Sequence, residues 1–318
     1  MKKLLALLLC AVLCLSLAAC ASNTTTTETP AASTETAAEA PTETETAEAP
    51  AEEASSDAKQ YVVGICQLVQ HDALDAATNG FMDALEEALP GQVTFDLKNA
   101  SNDIPTCGTI VTGFVASNVD LILANATPAL QAASTATQTI PVLGTAVTEY
   151  GVALDIKDFS GTVGGNISGT SDLAPLDQQA DMLLELLPEA KNVGILYCSA
   201  EANSVYQADV VKAALEAKGV NVTVYTFADS NDVATVTQTA CAENDALYIP
   251  TDNTAASCTE AINNVAEPAG VPIVAGEEGI CKGCGIATLA IDYYEPGRHR
   301  RDGRKDPDWR SKRLRNAD

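Results

Sequence analysis

Arginine is missing from almost the whole of this chain. The sequence has 318 residues, yet none of its seven arginines precedes Arg298. A guanidinium group binds carboxylates and phosphates through two parallel hydrogen bonds, which no other side chain does as well. A site formed before residue 298 must therefore hold an anion by other means, such as the backbone N–H groups at a helix N-terminus.

Histidine and hydrolase motifs are also scarce. His71 is the only histidine before residue 299, and the glycine-rich stretch from Gly161 to Gly169 does not follow a strand as a Gly-x-Ser-x-Gly elbow would. An ordered set of Ser, His and acid is likewise not recognisable around a single histidine. We therefore expect that the chain is not an enzyme.

Basic residues of any kind are few in the central part of the chain. Between residues 60 and 297 there are 30 acidic and 6 basic side chains, and the whole chain has a formal net charge of −25. Such a surface repels phosphate backbones and anionic lipid head groups. Nucleic acid and anionic membrane surfaces are therefore excluded as main partners.

Long apolar runs are confined to the N-terminus. Lys2 and Lys3 precede an apolar run from Leu4 to Leu17 that is too short to span a bilayer, which is typical of a secretory signal. The ending Leu-Ala-Ala-Cys resembles a bacterial lipobox, which would make Cys20 the lipid-bearing residue of the mature protein. We expect a signal peptide at 1–20 and an extracytoplasmic protein anchored to the cell membrane; an ordinary cleaved signal is the alternative.

The next segment, 21–59, has no aromatic or large aliphatic residue. It consists almost wholly of Ala, Thr, Glu, Ser and Pro, with nine acidic residues and one lysine. Such a composition cannot bury enough apolar surface to offset the entropy of ordering. We expect a disordered, extended tether.

From Tyr61 onward, strand-length apolar runs alternate with helix-length amphipathic segments. Strands that are apolar on both faces and separated by helices indicate parallel sheets covered on both sides, that is, an α/β fold. The predicted strands are Tyr61–Val69, Gln92–Leu97, Val119–Ala124, Pro141–Val147, Asn192–Tyr197, Asn221–Phe227, Ala246–Ile249, Pro272–Ala275 and Gly285–Ile291.

The pattern starts again near residue 190, which predicts two similar Rossmann-like lobes. Val62-Val63-Gly64-Ile65 opens one series and Asn192-Val193-Gly194-Ile195 opens the other. We assign 60–170 to an N-terminal lobe and 171–292 to a C-terminal lobe, with residues 158–175 as a flexible crossover rich in Gly, Ser and Thr. One large open sheet is the alternative.

Polar residues follow the predicted strands at equivalent places in both lobes. They form four loops, Gln70-His71-Asp72, Asn125-Ala126-Thr127-Pro128, Glu201-Ala202-Asn203-Ser204 and Thr251-Asp252-Asn253. In open parallel sheets, ligands bind beyond the carboxyl ends of the strands. Each loop alone is explained by helix capping, with Thr127 as a suitable N-cap, but their coincidence predicts a ligand-binding cleft between two lobes.

Several motifs in order carry a resemblance that spans residues 61–295. They are Gln70-His71-x-Ala73-Leu74-Asp75, Asn79-Gly80-Phe81, Ala126-Thr127-Pro128-Ala129, Glu201-Ala202-Asn203-Ser204, Thr251-Asp252-Asn253 and Ile291-Asp292-Tyr293-Tyr294. Together they resemble the substrate-binding lipoproteins of ABC importers of the tryptophan/tyrosine type. The resemblance implies a type I periplasmic-binding-protein fold, two lobes joined by a hinge, that delivers a small solute to ABC permease and ATPase subunits, without a cofactor. A sensor of the same fold that signals to a membrane receptor is the alternative.

An amino acid solute would need acceptors for its ammonium and donors for its carboxylate. Glu201 and Asp252 are the candidate acceptors, oriented by Asn203 and Asn253, whereas backbone N–H groups near Thr127 and Ser204 would bind the carboxylate. An aromatic ring would stack on a tyrosine or on His71. The full set of expected ligand-binding residues is His71, Thr127, Thr148, Glu201, Asn203, Ser204, Asp252, Asn253, Asp292 and Tyr293, the last two on the hinge side.

Seven cysteines fall within the folded part, an odd number that leaves at least one thiol unpaired. Cys281 and Cys284 form a C-x-x-C pair that we place in a glycine-rich loop before a strand. There it is a structural turn, with a disulfide loop, half a metal site and a redox pair as alternatives. No second pair at zinc-site spacing accompanies it, so we expect no metal site.

The composition changes abruptly after residue 295. All seven arginines and the single tryptophan, Trp309, lie between Arg298 and Arg315. We interpret 293–318 as the return segment of the fold, frame-shifted and disordered from about residue 296, with a genuine basic tail as the alternative.

Overall fold

The structure, a computed structural model, describes residues 59–295, and in this part of the chain ten strands form two parallel sheets of five. The signal peptide, nearly all of the acidic linker and the tail from residue 296 lie outside the described residues. In the part that is described, none of the helices is long and apolar enough to cross a membrane.

The first lobe consists of the first sheet and four helices. Its strands are β1 (Tyr61–Gln67), β2 (Val93–Asn99), β3 (Leu121–Asn125), β4 (Val142–Val147) and β5 (Ile167–Ser171), and its helices are α1 (Asp72–Ala88), α2 (Ile104–Ala116), α3 (Thr127–Ala136) and α4 (Tyr150–Ala153). The strand order is β2-β1-β3-β4-β5. Because β1 and β3 are buried on both faces, helices must cover both sides of the sheet.

The second lobe repeats this plan. It contains α5 (Leu176–Leu186), β6 (Asn192–Cys198), α6 (Ala202–Glu216), β7 (Asn221–Phe227), α7 (Val233–Glu243), β8 (Ala246–Ile249), α8 (Asn253–Ser257), α9 (Thr259–Ala269), β9 (Ile273–Ala275), α10 (Glu278–Cys284) and β10 (Ala287–Thr288). Its strand order, β7-β6-β8-β9-β10 read from the β7 edge, is that of the first lobe. The predicted two-lobed α/β fold is confirmed.

The apolar side chains of the central strands alternate between two cores in each lobe. In the first lobe, Val63 and Ile65 of β1 pack against Phe81 of α1, whereas Cys66 of the same strand joins the opposite core around Phe114 of α2. Gly64 lets Phe114 approach β1, since a Cβ there would lie 2.6 Å from the ring. Alternating burial of this kind is what holds helices on both faces of a sheet.

One strand was missed in the sequence because its residues are small and polar. The crossover predicted at 158–175 contains β5, which pairs with β4 at the sheet edge and exposes most of its side chains. The hydroxyl of Tyr150 lies 3.0 Å from the carbonyl oxygens of both Gly144 and Thr170, which share its single O–H donor, and so joins β4 to β5. The connection between the lobes is therefore shorter than predicted, only residues 172–175, which we call the first connection.

The C-x-x-C pair was also placed wrongly. Cys281 and Cys284 lie in helix α10, which begins after Glu277 caps its N-terminus, and not in a loop. The predicted last strand, Gly285–Ile291, is reduced to β10 at Ala287–Thr288. All seven cysteines within residues 59–295 are free thiols.

Candidate functional site

A cavity lies between the two lobes, where the carboxyl ends of their central strands meet. His71, Ala73, Leu74, Ala146 and Thr148 line it from the first lobe, and Asn203, Thr251, Asp252, Asn253, Ala256 and Glu277 line it from the second. Asp172 of the first connection and Tyr293 of the chain that returns toward the first lobe complete the wall. From here on, the return segment means residues 289–295, which include the described part of the return segment predicted at 293–318.

Two hydrogen bonds join the lobes, one at the wall of this cavity and one between residues that do not line it. The Nε2 atom of His71 lies 3.2 Å from Oδ1 of Asn253, and Nδ2 of Asn102 donates to Oγ1 of Thr254 at 3.0 Å. Each bond joins the start of a helix in one lobe to the start of α8 in the other. With these contacts the lobes lie together over the cleft, an arrangement that we call the closed form, and from it we expect a solute to enter by separation of the lobes.

A buried polar network positions the first-lobe wall. Gln67, at the end of β1, donates to Asp75 at 2.6 Å and accepts from the hydroxyl of Thr78 at 2.6 Å. Asn125, at the end of β3, donates to Thr78 and to the carbonyl of Leu74, both at 2.8 Å. These bonds fix the first turns of α1 against two strand ends, and so fix His71 at the N-cap position of α1.

Glu201 holds the second-lobe loops together. Its carboxylate accepts five hydrogen bonds: four at 2.6–3.0 Å, from the backbone N–H and side-chain amide of Asn253 and from the N–H and hydroxyl of Thr254, and a fifth at 3.3 Å from the side-chain amide of Asn203. A buried carboxylate with this many donors is well satisfied. It spans about 50 residues of sequence and braces the start of α8 against the start of α6.

Asp252 is a second brace beside Glu201. Its two oxygens accept from the backbone N–H groups of Cys198 and Ala255, both at 2.7 Å, so that it caps α8 and ties it to the end of β6. Burial, followed by the nearby charge of Glu201, raises the pKa of Asp252 to about 8. At neutral pH the side chains of Asp252 and Glu201 therefore carry a combined charge smaller in magnitude than −2.

Two cleft carboxylates were missed in the sequence. Glu277 follows β9 and accepts from the backbone N–H groups of Gly279 and Ile280 at the start of α10, and its burial raises its pKa. Asp172 follows β5 and accepts from the hydroxyl of Tyr293 at 2.8 Å. Glu277 had a usable signal, a carboxylate two residues after the end of a predicted strand, whereas Asp172 was hidden because β5 was not recognised.

The structure brings six of the ten expected ligand-binding residues to the cavity wall: His71, Thr148, Asn203, Asp252, Asn253 and Tyr293. Glu201, Ser204 and Thr127 are buried but do not line the cavity, and Asp292 is exposed. The ligand-binding role of all ten stays a prediction.

Backbone strain marks two strand ends in the first lobe. Ala126, after β3, has φ of 90° and Ala146, in β4 beside the cavity, has φ of 52°, a region that residues with a Cβ seldom adopt. Ala126, and not Thr127 as predicted, is the N-cap residue of α3, and Thr127 is the first helical residue. The pairing of β4 with β5 shifts register between Gly144 and Val147, which redirects the chain toward Thr148.

The sequence is similar to that of a known family and of a curated protein. A family model described as ABC transporter substrate binding protein matches residues 62–301. A tyrosine-binding protein from Clostridioides difficile (strain R20291) is 36% identical over 250 residues, which cover 77% of this chain and 72% of that protein.

Two solved structures show how the lobes compare. An ABC domain in complex with L-Trp from Streptococcus pneumoniae is 31% identical, with a TM-score of 0.72 over 75% of this chain and 81% of that chain. The ligand-free, open structure of a substrate binding protein with adhesive properties from Clostridium difficile is 36% identical, with the same coverage and a TM-score of 0.54. The chain therefore superimposes better on the complex than on the open form, although its sequence is closer to the latter.

Proposed function

This chain belongs to the ABC transporter substrate-binding protein family, and from that membership we propose that its cleft binds an aromatic amino acid, tyrosine or tryptophan. Two relatives above 30% identity support the class of solute, since one is a tyrosine-binding protein and the other forms a complex with L-Trp. The family description favours import with permease and ATPase subunits over the sensing alternative.

The observation that carries the proposal is a set of buried polar atoms without partners around one cavity. Nδ1 of His71, Oδ1 of Asp172, Oδ1 of Asn203 and Oγ1 of Thr251 have no hydrogen-bond partner among residues 59–295. All four residues line the cleft cavity. Because buried polar groups are normally paired, these atoms are suited to a polar solute that completes them.

The rest of the wall suits the remaining parts of an aromatic amino acid. Ala73, Leu74, Ala146 and Ala256 present small apolar surfaces around a cavity of about 10 Å³, which must widen before a ring can pack against them. Neither lysine nor arginine is among the residues that line the cavity, so the solute carboxylate is left to N–H and hydroxyl donors.

Isothermal titration calorimetry of the purified chain tests the proposal directly. We expect L-tyrosine or L-tryptophan to bind at least about tenfold more tightly than L-leucine, because burial of a ring adds apolar contact that a smaller side chain lacks. A neutral monosaccharide is the control for solutes of the same fold class. Binding of the sugar alone would assign the cleft to a different kind of solute.

We also propose that Cys20 carries a lipid and that 21–59 is the tether of the folded part. Both rest on the sequence, and they give the carrier a range of movement near its membrane partners. The Cys20→Ala chain should move from the membrane fraction to the soluble fraction of cells. The frame shift after residue 295 remains a proposal that sequencing of the locus tests.

A further inference from the structure

Four carboxylates surround the cleft, but they differ in how many of their oxygens are already occupied. Glu201 accepts five hydrogen bonds, and Asp252 and Glu277 each accept from two backbone N–H groups. These three carboxylates hold the loops and helix ends of the second lobe. None of them has an oxygen that lacks a donor.

Asp172 is different. It is 5% exposed, its Oδ2 accepts from Tyr293 at 2.8 Å, and its buried Oδ1 accepts no well-aligned hydrogen bond from the described residues. Burial raises the pKa of Asp172, and the hydroxyls of Tyr293 and Thr148 beside the carboxylate oppose that rise. A buried carboxylate oxygen without a donor is costly unless a bound group supplies one. Asp172 lines the cavity, so the missing donor can come from a solute.

A second unpaired acceptor lines the same cavity. Asn203 is 6% exposed and directs its amide nitrogen to the carbonyl oxygen of Thr251 at 3.0 Å, which leaves its Oδ1 without a donor. A carboxylate oxygen and an amide oxygen are acceptors only, and an ammonium group offers three N–H donors and no acceptor. The N–H donors of an ammonium group therefore complement these two acceptor oxygens.

We infer that Asp172, with Asn203 as a second acceptor, binds the ammonium group of the solute, and that the cleft selects against analogues without that group. The inference rests on the proposed function and refines it, because it replaces Glu201 and Asp252 as the expected ammonium acceptors. An analogue without the ammonium group leaves these two buried oxygens without a donor. Its binding is therefore much weaker, and the cleft selects solutes that carry the ammonium group.

The position of Asp172 also couples this contact to the movement of the lobes. Its backbone N–H donates to the carbonyl of Val147 in β4, and Tyr293, its side-chain partner, belongs to the return segment. Asp172 therefore belongs to one of the described chain segments that join the lobes and contacts the other. An ammonium group bound to Asp172 therefore contacts the residue at which the chain leaves the first lobe for the second.

Calorimetry with two solutes and two proteins tests the inference. The solutes are L-tryptophan and indole-3-propionate, which has the same ring and carboxylate but no ammonium. We expect Asp172→Asn to weaken tryptophan binding at least about tenfold and to change indole-3-propionate binding less than about threefold. Asp177→Asn, which removes the same charge from the exposed start of α5, is the matched control and should change neither.

The outcomes separate the inference from the proposed function. A wild-type chain that binds neither tyrosine nor tryptophan overturns both. A wild-type chain that binds tryptophan no better than indole-3-propionate, or an Asp172→Asn variant that loses both equally or neither, overturns the inference alone.

A thermal melt establishes whether Asp172→Asn is folded. If it is not, Asn203→Ala decides, because it removes the second acceptor and leaves the charge of Asp172 in place. A reduced preference for tryptophan over indole-3-propionate in Asn203→Ala supports the inference, and an unchanged preference contradicts it.

Discussion

Asp252 shows how the surroundings of a residue change its role. From its place after a strand we expected it to bind a solute ammonium, but its two oxygens face the N–H groups of Cys198 and Ala255. Glu201 is likewise surrounded by donors of the protein itself. A carboxylate that is occupied in this way stabilises loops and has little capacity left for a ligand.

The raised pKa of Asp252 predicts how the stability of the ligand-free protein depends on pH. Glu201, Cys198 and Tyr197 face this carboxyl, and burial raises its pKa to about 8 from an ordinary value of about 4. The folded chain therefore keeps a proton that the unfolded chain releases above about pH 4. Because the folded state binds more protons, the free energy of unfolding should fall as pH rises from about 4 to about 8, by up to about 1.4 kcal/mol per pH unit.

Chemical denaturation at pH 5 and pH 7.5 measures this slope. Asp252→Asn, which keeps an acceptor for the cap of α8 but does not titrate, should have a shallower slope than the wild type. Asp292→Asn, at an exposed position, is the control and should keep the full slope. Equal slopes for the wild type and Asp252→Asn would show that this carboxyl is already ionised at pH 5.

At the scale of elements, the contact between α1 and the return segment explains a glycine that the sequence motifs contain. Gly80 lies in α1, where a Cβ would stand 2.2 Å from the carbonyl oxygen of Tyr294. The hydroxyl of Tyr294 donates to Asp83 of the same helix at 2.7 Å. The helix must therefore lack a side chain at residue 80 for the return segment to reach the first lobe and to present Tyr293 to Asp172.

Gly80→Ala should destabilise the protein although alanine favours helices. Its intrinsic helix propensity would stabilise α1 by about 1 kcal/mol, but the clash with Tyr294 displaces the return segment, and we expect a net loss of about 1–3 kcal/mol. Gly113→Ala in α2, where a Cβ meets no atom within 4 Å, is the matched control and should stabilise. Denaturation midpoints of the two variants test this, and a stabilised Gly80→Ala would contradict the proposed close approach.

At the scale of the whole molecule, closure of the cleft depends on a few contacts between lobes that each have their own core. Asn102 makes one of them, to Thr254, from a left-handed backbone conformation with φ of 62°. The closed form also superimposes better on a complex with L-Trp than on a ligand-free, open structure. The balance between open and closed forms should therefore respond to the loss of a single hydrogen bond between the lobes.

Asn102→Gly removes that bond and leaves the backbone conformation without strain, because glycine tolerates positive φ. We expect solute affinity to fall about 2- to 10-fold, the effect of one hydrogen bond, and the radius of gyration in solution to increase. Asn118→Gly is the matched control, since Asn118 is exposed, has φ of 52° and makes no hydrogen bond to the second lobe. Identical small-angle scattering and affinity for the two variants would remove Asn102 from the closing contacts.

The local pattern of the sequence determined the class of this protein. Alternating apolar strands and helices, repeated from Gly64 and again from Gly194, are sufficient for two α/β lobes, because burial of apolar faces depends on periodicity that can be read along the chain. The same pattern located the strand ends, and therefore the loops from which six cavity residues come. Strand β5 was not predicted, because its small polar residues at a sheet edge carry no such periodicity.

Only the tertiary structure determined which of those polar groups lack a hydrogen-bond partner. Glu201 is satisfied by donors about 50 residues away, whereas Asp172 meets Tyr293 from 121 residues away and keeps one oxygen unpaired. Hydrogen bonding depends on distances of about 3 Å between atoms brought together by folding, and no local pattern encodes those distances. The sequence thus identified six residues of the cavity wall, whereas the fold decided which acceptors in that wall lack a donor.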